Sequence, residues 1–198
     1  GICVNDDGLM RMSVRCFLFQ AEDGIRDLVR SRGLRDVYKR QGFHHIYLGG
    51  LLEHTLSVVR LLEKVSEHYP KLNKDMLIAG GILHDIGKIY EFNYQSLIDY
   101  SDEGRLIGHI VMGVEMINKV IASLPDFPEQ LSLELRHLLL SHHGEFEFGS
   151  PKRPKTLEAL VVHYIDDLDA KLNAFETFIS DSTKDDSDWT AYNRFFER

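Results

Sequence analysis

Ten histidines occur in this chain, and their company matters more than their number. His84 is followed at once by Asp85, after the apolar run Gly80, Gly81, Ile82, Leu83 and before Ile86, Gly87 and Lys88. An imidazole nitrogen beside a carboxylate oxygen suits Mn²⁺, Fe or another borderline divalent ion. Alone the pair is weak, because a single histidine is commonly a half-buried, hydrogen-bonded ring. The set carries the weight: His54, the pair His84 and Asp85, His109, the pair His142 and His143, and Asp166 fall on five successive apolar-periodic stretches. Helix bundles build metal sites from inward-facing side chains on different helices, and ionisable groups within apolar segments need partners or a metal. Both cysteines, Cys3 and Cys16, lie in the first 41 residues, so a metal site further along must use nitrogen and oxygen ligands.

The elements that must position these groups read as helices. From Gly50 to Tyr69 the residues Leu51, Leu52, Leu56, Val59, Leu62 and Val65 recur at helical spacing, and Pro70 ends the run. Asn73 stands as an N-cap before Met76, Leu77, Ile78, Ile82, Leu83 and Ile86, with an end near Gly87, and Gly80 and Gly81 let a neighbouring backbone approach. A loop through Asp99, Ser101, Asp102 and Gly104 follows. Three further stretches, Leu106 to Leu124, Pro128 to His143 and Thr156 to Ile179, have helical length, and none alternates like a strand. The expected fold is all-α and bundle-like.

Residues 42–198 read as one domain with one core. Such a length can bury roughly 70% of the surface of its unfolded chain, so neither disulfides nor oligomerisation is needed for folding. Acidic residues exceed basic ones by 31 − 23 = 8, which argues against a broad phosphate-gripping surface for duplex DNA. No apolar run approaches membrane-spanning length, and Asp6, Asp7 and Arg11 stand where a secretion signal would place a basic and then an apolar region. A reducing cytoplasm is the expected compartment.

Composition shifts at about Gln41. Residues 1–41 carry eight basic and six acidic side chains, whereas 42–198 net 15 − 25 = −10. The stretch from Cys16 to Gln41 resembles translated adapter read-through and is expected not to be native, against the alternative of a helical arm with Ile25, Leu28 and Val29 on one face. The tail from Ser180 to Arg198, polar and then aromatic, is expected to be truncated.

The pattern His54, His84-Asp85, His109, His142-His143, Asp166 resembles the HD-domain metal-dependent phosphohydrolases, with His54, His84, Asp85 and Asp166 at the four positions that name the superfamily. Within it, GGLLEHTLSVV, GGILHDIGK, LIGHI, SHHGEFEFGSPK and HYIDDLDAK are similar to segments of the YhaM-type 3′-to-5′ exoribonucleases, over about residues 42–198. The resemblance implies an HD-domain helical bundle and an OB-fold segment that this chain lacks. It implies a binuclear site: His54, His84, Asp85 and Asp166 around one ion, and Asp85 bridging to a second held by His109 and by His142, His143 or both. Mn²⁺ is the first expected metal, with Fe, Co²⁺ or Mg²⁺ as alternatives. Two such ions acidify a water and neutralise phosphate charge.

Lys88, three residues beyond Asp85, is expected to reach the substrate phosphate as a catalytic cation, against the alternative of a lysine at a helix C-terminus. Asp169 and His163, one turn either side of Asp166, could orient a ligand and donate to one respectively, but a solvated acid and a packed ring are the favoured readings. Lys152, Arg153 and Lys155 could meet an RNA backbone, and His44 and His45 could line the site. The expected activity is a phosphodiesterase releasing nucleoside 5′-monophosphates from the 3′ end of single-stranded RNA. Alternatives are hydrolysis of a small nucleotide (a dNTP, a dinucleoside polyphosphate or a cyclic dinucleotide) and a non-catalytic metal-binding interaction module. The cyclic-dinucleotide branch is disfavoured, because the GYP tripeptide that marks it is absent from SHHGEFEFGSP.

Overall fold

A computed structural model describes residues 49–93, 99–182, 189, 190 and 192. The expectations for residues 1–41, for His44 and His45 and for most of the C-terminal tail lie outside the described residues.

Helix α1, Gly50–His68, starts at Gly49 and ends where Pro70 forbids continuation. It buries His54, Thr55, Val58 and Leu62, a stripe at helical spacing but rotated from the one read off the leucines; Leu56, expected inside, is exposed. The reason is His54, which sits on the core-facing side and takes the helix phase with it. Helix α2, Lys74–Leu83, is capped by the Asn73 side chain, which accepts from the Met76 N–H at 3.1 Å. It ends earlier than expected. From Leu83 onward the bonds shorten to the i+3 type, Ile86 to Leu83, Lys88 to Asp85 and Ile89 to Ile86, a tighter winding. The change falls on the His84-Asp85 pair itself.

Helix α3, Lys88–Glu91, follows directly, then a two-residue antiparallel ladder of β1 (Phe92–Asn93) and β2 (Asp99–Tyr100) with Phe92 opposite Tyr100. The ladder and helix α4, Asp102–Leu106, replace the expected loop. Helix α4 is nucleated by Ser101, whose hydroxyl accepts from the Gly104 N–H and donates to the Tyr90 carbonyl. Helix α5 runs His109–Ser123, α6 Glu129–Ser141 and α7 Leu157–Ser182, with a 3₁₀ turn at Phe146–Phe148 between the last two.

The core lies among α1, α2, α6 and α7, with Ile117 entering from α5; Leu62, Leu77, Leu83, Leu135, Leu138, Leu139 and Val162 are fully enclosed. Gly80 faces the Leu138 and Val162 side chains, while Gly81 faces Leu62 and Val59 and lets the α1 backbone at Val59 come close, as the sequence suggested. A closer approach is at Gly87, where an added Cβ would lie 2.0 Å from the His109 carbonyl oxygen. It sets the start of α5 against the turn that carries Asp85. The architecture is the expected all-α bundle, and no described helix is long and apolar enough to cross a membrane.

Candidate metal centre

Four fully or nearly fully buried groups, His54, His84, Asp85 and His142, meet where α1, the α2–α3 turn and the end of α6 converge. His54 comes from the core stripe of α1, and Asp166 from α7 reaches its Nε2 with Oδ1 at 3.0 Å. His84 Nε2 lies 3.2 Å from His54 Nε2 and 3.7 Å from Asp166 Oδ1. His109, the first residue of α5, and His143, just past α6, face each other through Nε2 atoms 3.3 Å apart. Every metal-site residue expected from the sequence is therefore in one place.

Asp85 joins the two groups. Its Oδ2 is 3.5 Å from His84 Nε2 and 3.8 Å from His54 Nε2, while its Oδ1 is 3.6 Å from both His109 Nε2 and His142 Nε2. Two sets of donor atoms result, each within 4.8 Å: His54, His84 and Asp85, and Asp85, His109, His142 and His143. Both of the adjacent histidines left open by the sequence belong to the second set.

Every imidazole uses its other nitrogen on an oxygen. Nδ1 of His54 pairs with Asp169 Oδ2, of His84 with the Gly81 carbonyl, and of His109 with Glu91 Oε1. Nδ1 of His142 pairs with the Leu139 carbonyl and of His143 with the Phe148 carbonyl. Acceptors there assign the proton of each neutral ring to Nδ1, and aim the Nε2 atoms at one another and at carboxylates, that of His54 at Asp166. The buried Asp85 Oδ1 and His142 Nε2 have no hydrogen-bond partner, although 3.6 Å apart. Two buried acceptors facing each other are costly unless a cation lies between them. The donor set, imidazole and carboxylate without sulfur, fits a borderline divalent ion.

The charges respond to this crowding. Burial opposes ionisation of Asp85, but the Lys88 ammonium and the adjacent His84 outweigh it and hold the carboxyl well below the usual range. Asp166 is likewise depressed against its burial, by His84 and the hydrogen bond from His54. His54 is lifted to about 9: burial works against its charge, and the Asp166 and Asp169 carboxylates on its two nitrogens prevail. His143 is pushed down to about 4 by burial and by the neighbouring His142 and His109. Burial lowers His142 too.

Lys88 sits with Nζ 2.6 Å from the buried Asp85 Oδ2, its side chain 32% exposed. Asp169, expected to be solvated, instead accepts from His54 and from the Ser57 hydroxyl. His163 bonds the His142 carbonyl at 2.8 Å and so braces the turn that carries two of the imidazoles. Glu91 escaped the sequence reading: it accepts from both the backbone N–H and the ring of His109 at 3.0 Å. Its signal, an acid two residues after Ile89 with no spacing that ties it to His109, is faint. The loop basic residues are partly engaged, with Arg153 paired to Glu145 at 2.7 Å.

Residues 51–171 match the family model for the HD domain. The chain is 44% identical over 133 residues to the 3′-5′ exoribonuclease YhaM of Bacillus subtilis (strain 168), an alignment covering 67% of this chain and 42% of that protein. It is 45% identical over the same shares to the 3′-5′ exoribonuclease YhaM of Bacillus licheniformis. The chain thus spans under half the length of these relatives. No solved structure matches it. With His54, His84, Asp85 and Asp166 gathered in one buried centre and more than half its length matched, the chain belongs to the HD-domain family.

Proposed function

We propose that this chain is the hydrolytic domain of a metal-dependent phosphodiesterase that removes nucleoside 5′-monophosphates from the 3′ end of single-stranded RNA in the cytoplasm. The observation that supports it most is the Asp85 carboxylate, with one oxygen turned to each of two imidazole groups. His54, His84, Asp85 and Asp166 would hold one divalent ion, and Asp85, His109, His142 and His143 a second, Mn²⁺ being the first expected. Such ions supply an acidified water and charge neutralisation at the phosphate.

The chain's own residues do the rest. Nδ1 bonds fix five rings so that no imidazole must turn when substrate arrives, which preserves the geometry on which catalysis depends. Asp169 and Glu91 keep His54 and His109 oriented. Lys88 places its ammonium 2.6 Å from Asp85 Oδ2, where it would offset charge developing on a phosphate oxygen held at the centre.

A second reading, hydrolysis of a small nucleotide, is favoured by the net charge of −10 over residues 42–198, which suits a ligand held through few phosphates. Mn²⁺-loaded protein given 5′-labelled oligoribonucleotides and separate dNTPs distinguishes them. The expected result is a ladder shortening from the 3′ end with release of 5′-monophosphates, lost in Asp85→Asn. Turnover of dNTPs with intact RNA would transfer the proposal to the small-nucleotide reading.

A further inference from the structure

The turn that follows the two histidines carries two phenylalanines that contribute nothing to the core. Phe146 is 60% exposed and Phe148 63%, and neither belongs to the enclosed apolar cluster. Large apolar rings at a loop tip have no folding reason to be there, and exposed aromatic groups beside a site are a recognition signal.

The turn is tied to the centre and held rigid. The Phe148 carbonyl accepts from His143 Nδ1 at 2.9 Å, and His143 Nε2 lies 3.3 Å from His109 Nε2, so a single imidazole separates the Phe148 backbone from the second donor set. Phe148 N–H bonds the Glu145 carbonyl, and Ser150 is fastened to the same carbonyl and to that of Leu140. At its base Gly144 has φ +78, and a Cβ there would lie 2.2 Å from the His163 ring, which itself bonds the His142 carbonyl. Arg153, held by Glu145, lies over the Phe146 ring at 5.1 Å.

We propose that the Phe146–Phe148 turn, with Arg153, is a base-stacking platform that takes the nucleobase next to the phosphate held at the centre. This rests on the reading of the substrate as a single strand. Its backbone is joined to the second donor set through the His143 ring, which sets the turn beside the place where a substrate phosphate would be held. Stacking on aromatic rings and on an arginine plane tolerates every base, as an exonuclease that moves through a sequence requires. It also provides grip that an acidic chain cannot draw from backbone phosphates alone.

The test uses Mn²⁺-loaded protein and a short oligoribonucleotide with 2-aminopurine as its 3′-terminal base and a phosphorothioate at the last linkage. Binding is expected to quench the fluorophore, and Phe146→Ala/Phe148→Ala to abolish the quench and weaken binding about tenfold. The Leu/Leu double variant, apolar but not aromatic, is expected to lose the quench as well, while a strand abasic at its 3′ end binds all three proteins alike. Equal quenching by native and variant proteins, equal loss on the abasic strand, or no strand binding by the native protein would overturn the platform. A hydrolysable strand run in parallel separates the two readings. Cleavage without any effect of the phenylalanines removes the platform alone, and quenching without cleavage removes the exonuclease reading alone.

Discussion

Protons and metal compete for the same atom at His54. Its Nε2 faces Asp166 and its Nδ1 faces Asp169, and together they lift the ring to about 9 against its burial. An ion on Nε2 must therefore displace a proton, and apparent Mn²⁺ affinity is expected to rise by about tenfold per pH unit up to that pKa, one proton leaving per ion bound. Calorimetric titration in buffers of different ionisation enthalpy checks this; a pH-independent affinity would contradict it. In the metal-free protein the raised pKa gives stability that is fully present below 6.5 and lost as pH climbs through about 9. His143, depressed to about 4, gives stability present above 6.5 and lost as pH falls through that value. Melting of chelated protein is thus expected to be highest near neutrality, with these two residues eroding it on opposite sides. That the seven candidate residues gather in one place was legible in the sequence because each is a titratable group inside an apolar stretch. Glu91 was not, and Asp169 offered only one of two readings, since they act on His109 and His54, 18 and 115 residues distant in the chain.

At the scale of elements, long helices were legible and short ones were not. Helices α1, α5, α6 and α7 span enough turns for their apolar period to show, and the Asn73 cap marks the start of α2. A four-residue helix and two-residue strands lie below any period, and the Phe92–Tyr100 contact that closes the small hairpin is tertiary. The phase of α1 was misjudged by counting leucines, because its buried stripe includes the polar His54 and Thr55. Gly87 tests how far element packing sets the site. Its φ of −63 suits any residue, so Gly87→Ala carries no backbone penalty of its own, but the added Cβ meets the His109 carbonyl and the Gly113 amide. Backbone cannot yield as a side chain can, so a loss of about 1–3 kcal/mol is expected, together with weaker binding at the set containing His109. Gly80→Ala, which meets only side-chain methyls of Leu138 and Val162, is expected to cost less. Urea unfolding of both variants decides the order.

Taken whole, the molecule is an acidic helical body whose chemistry converges on one buried carboxylate. The net charge of −10 over residues 42–198 leads us to expect cleavage of short strands in preference to long ones. KM for a long RNA is expected to fall about tenfold or more when a strand-binding OB-fold is fused at the N-terminus, with little change in turnover of a small diester; unchanged KM would count against that division of labour. The account stands or falls on Asp85 serving two donor sets at once. The most direct test is Mn²⁺ stoichiometry by equilibrium dialysis of chelated protein, with electron paramagnetic resonance to detect spin coupling. The expected result is two ions per chain in a coupled pair, reduced to one uncoupled ion by His109→Ala/His143→Ala. A single ion in the native chain, retained unchanged in that double variant, would contradict the binuclear centre.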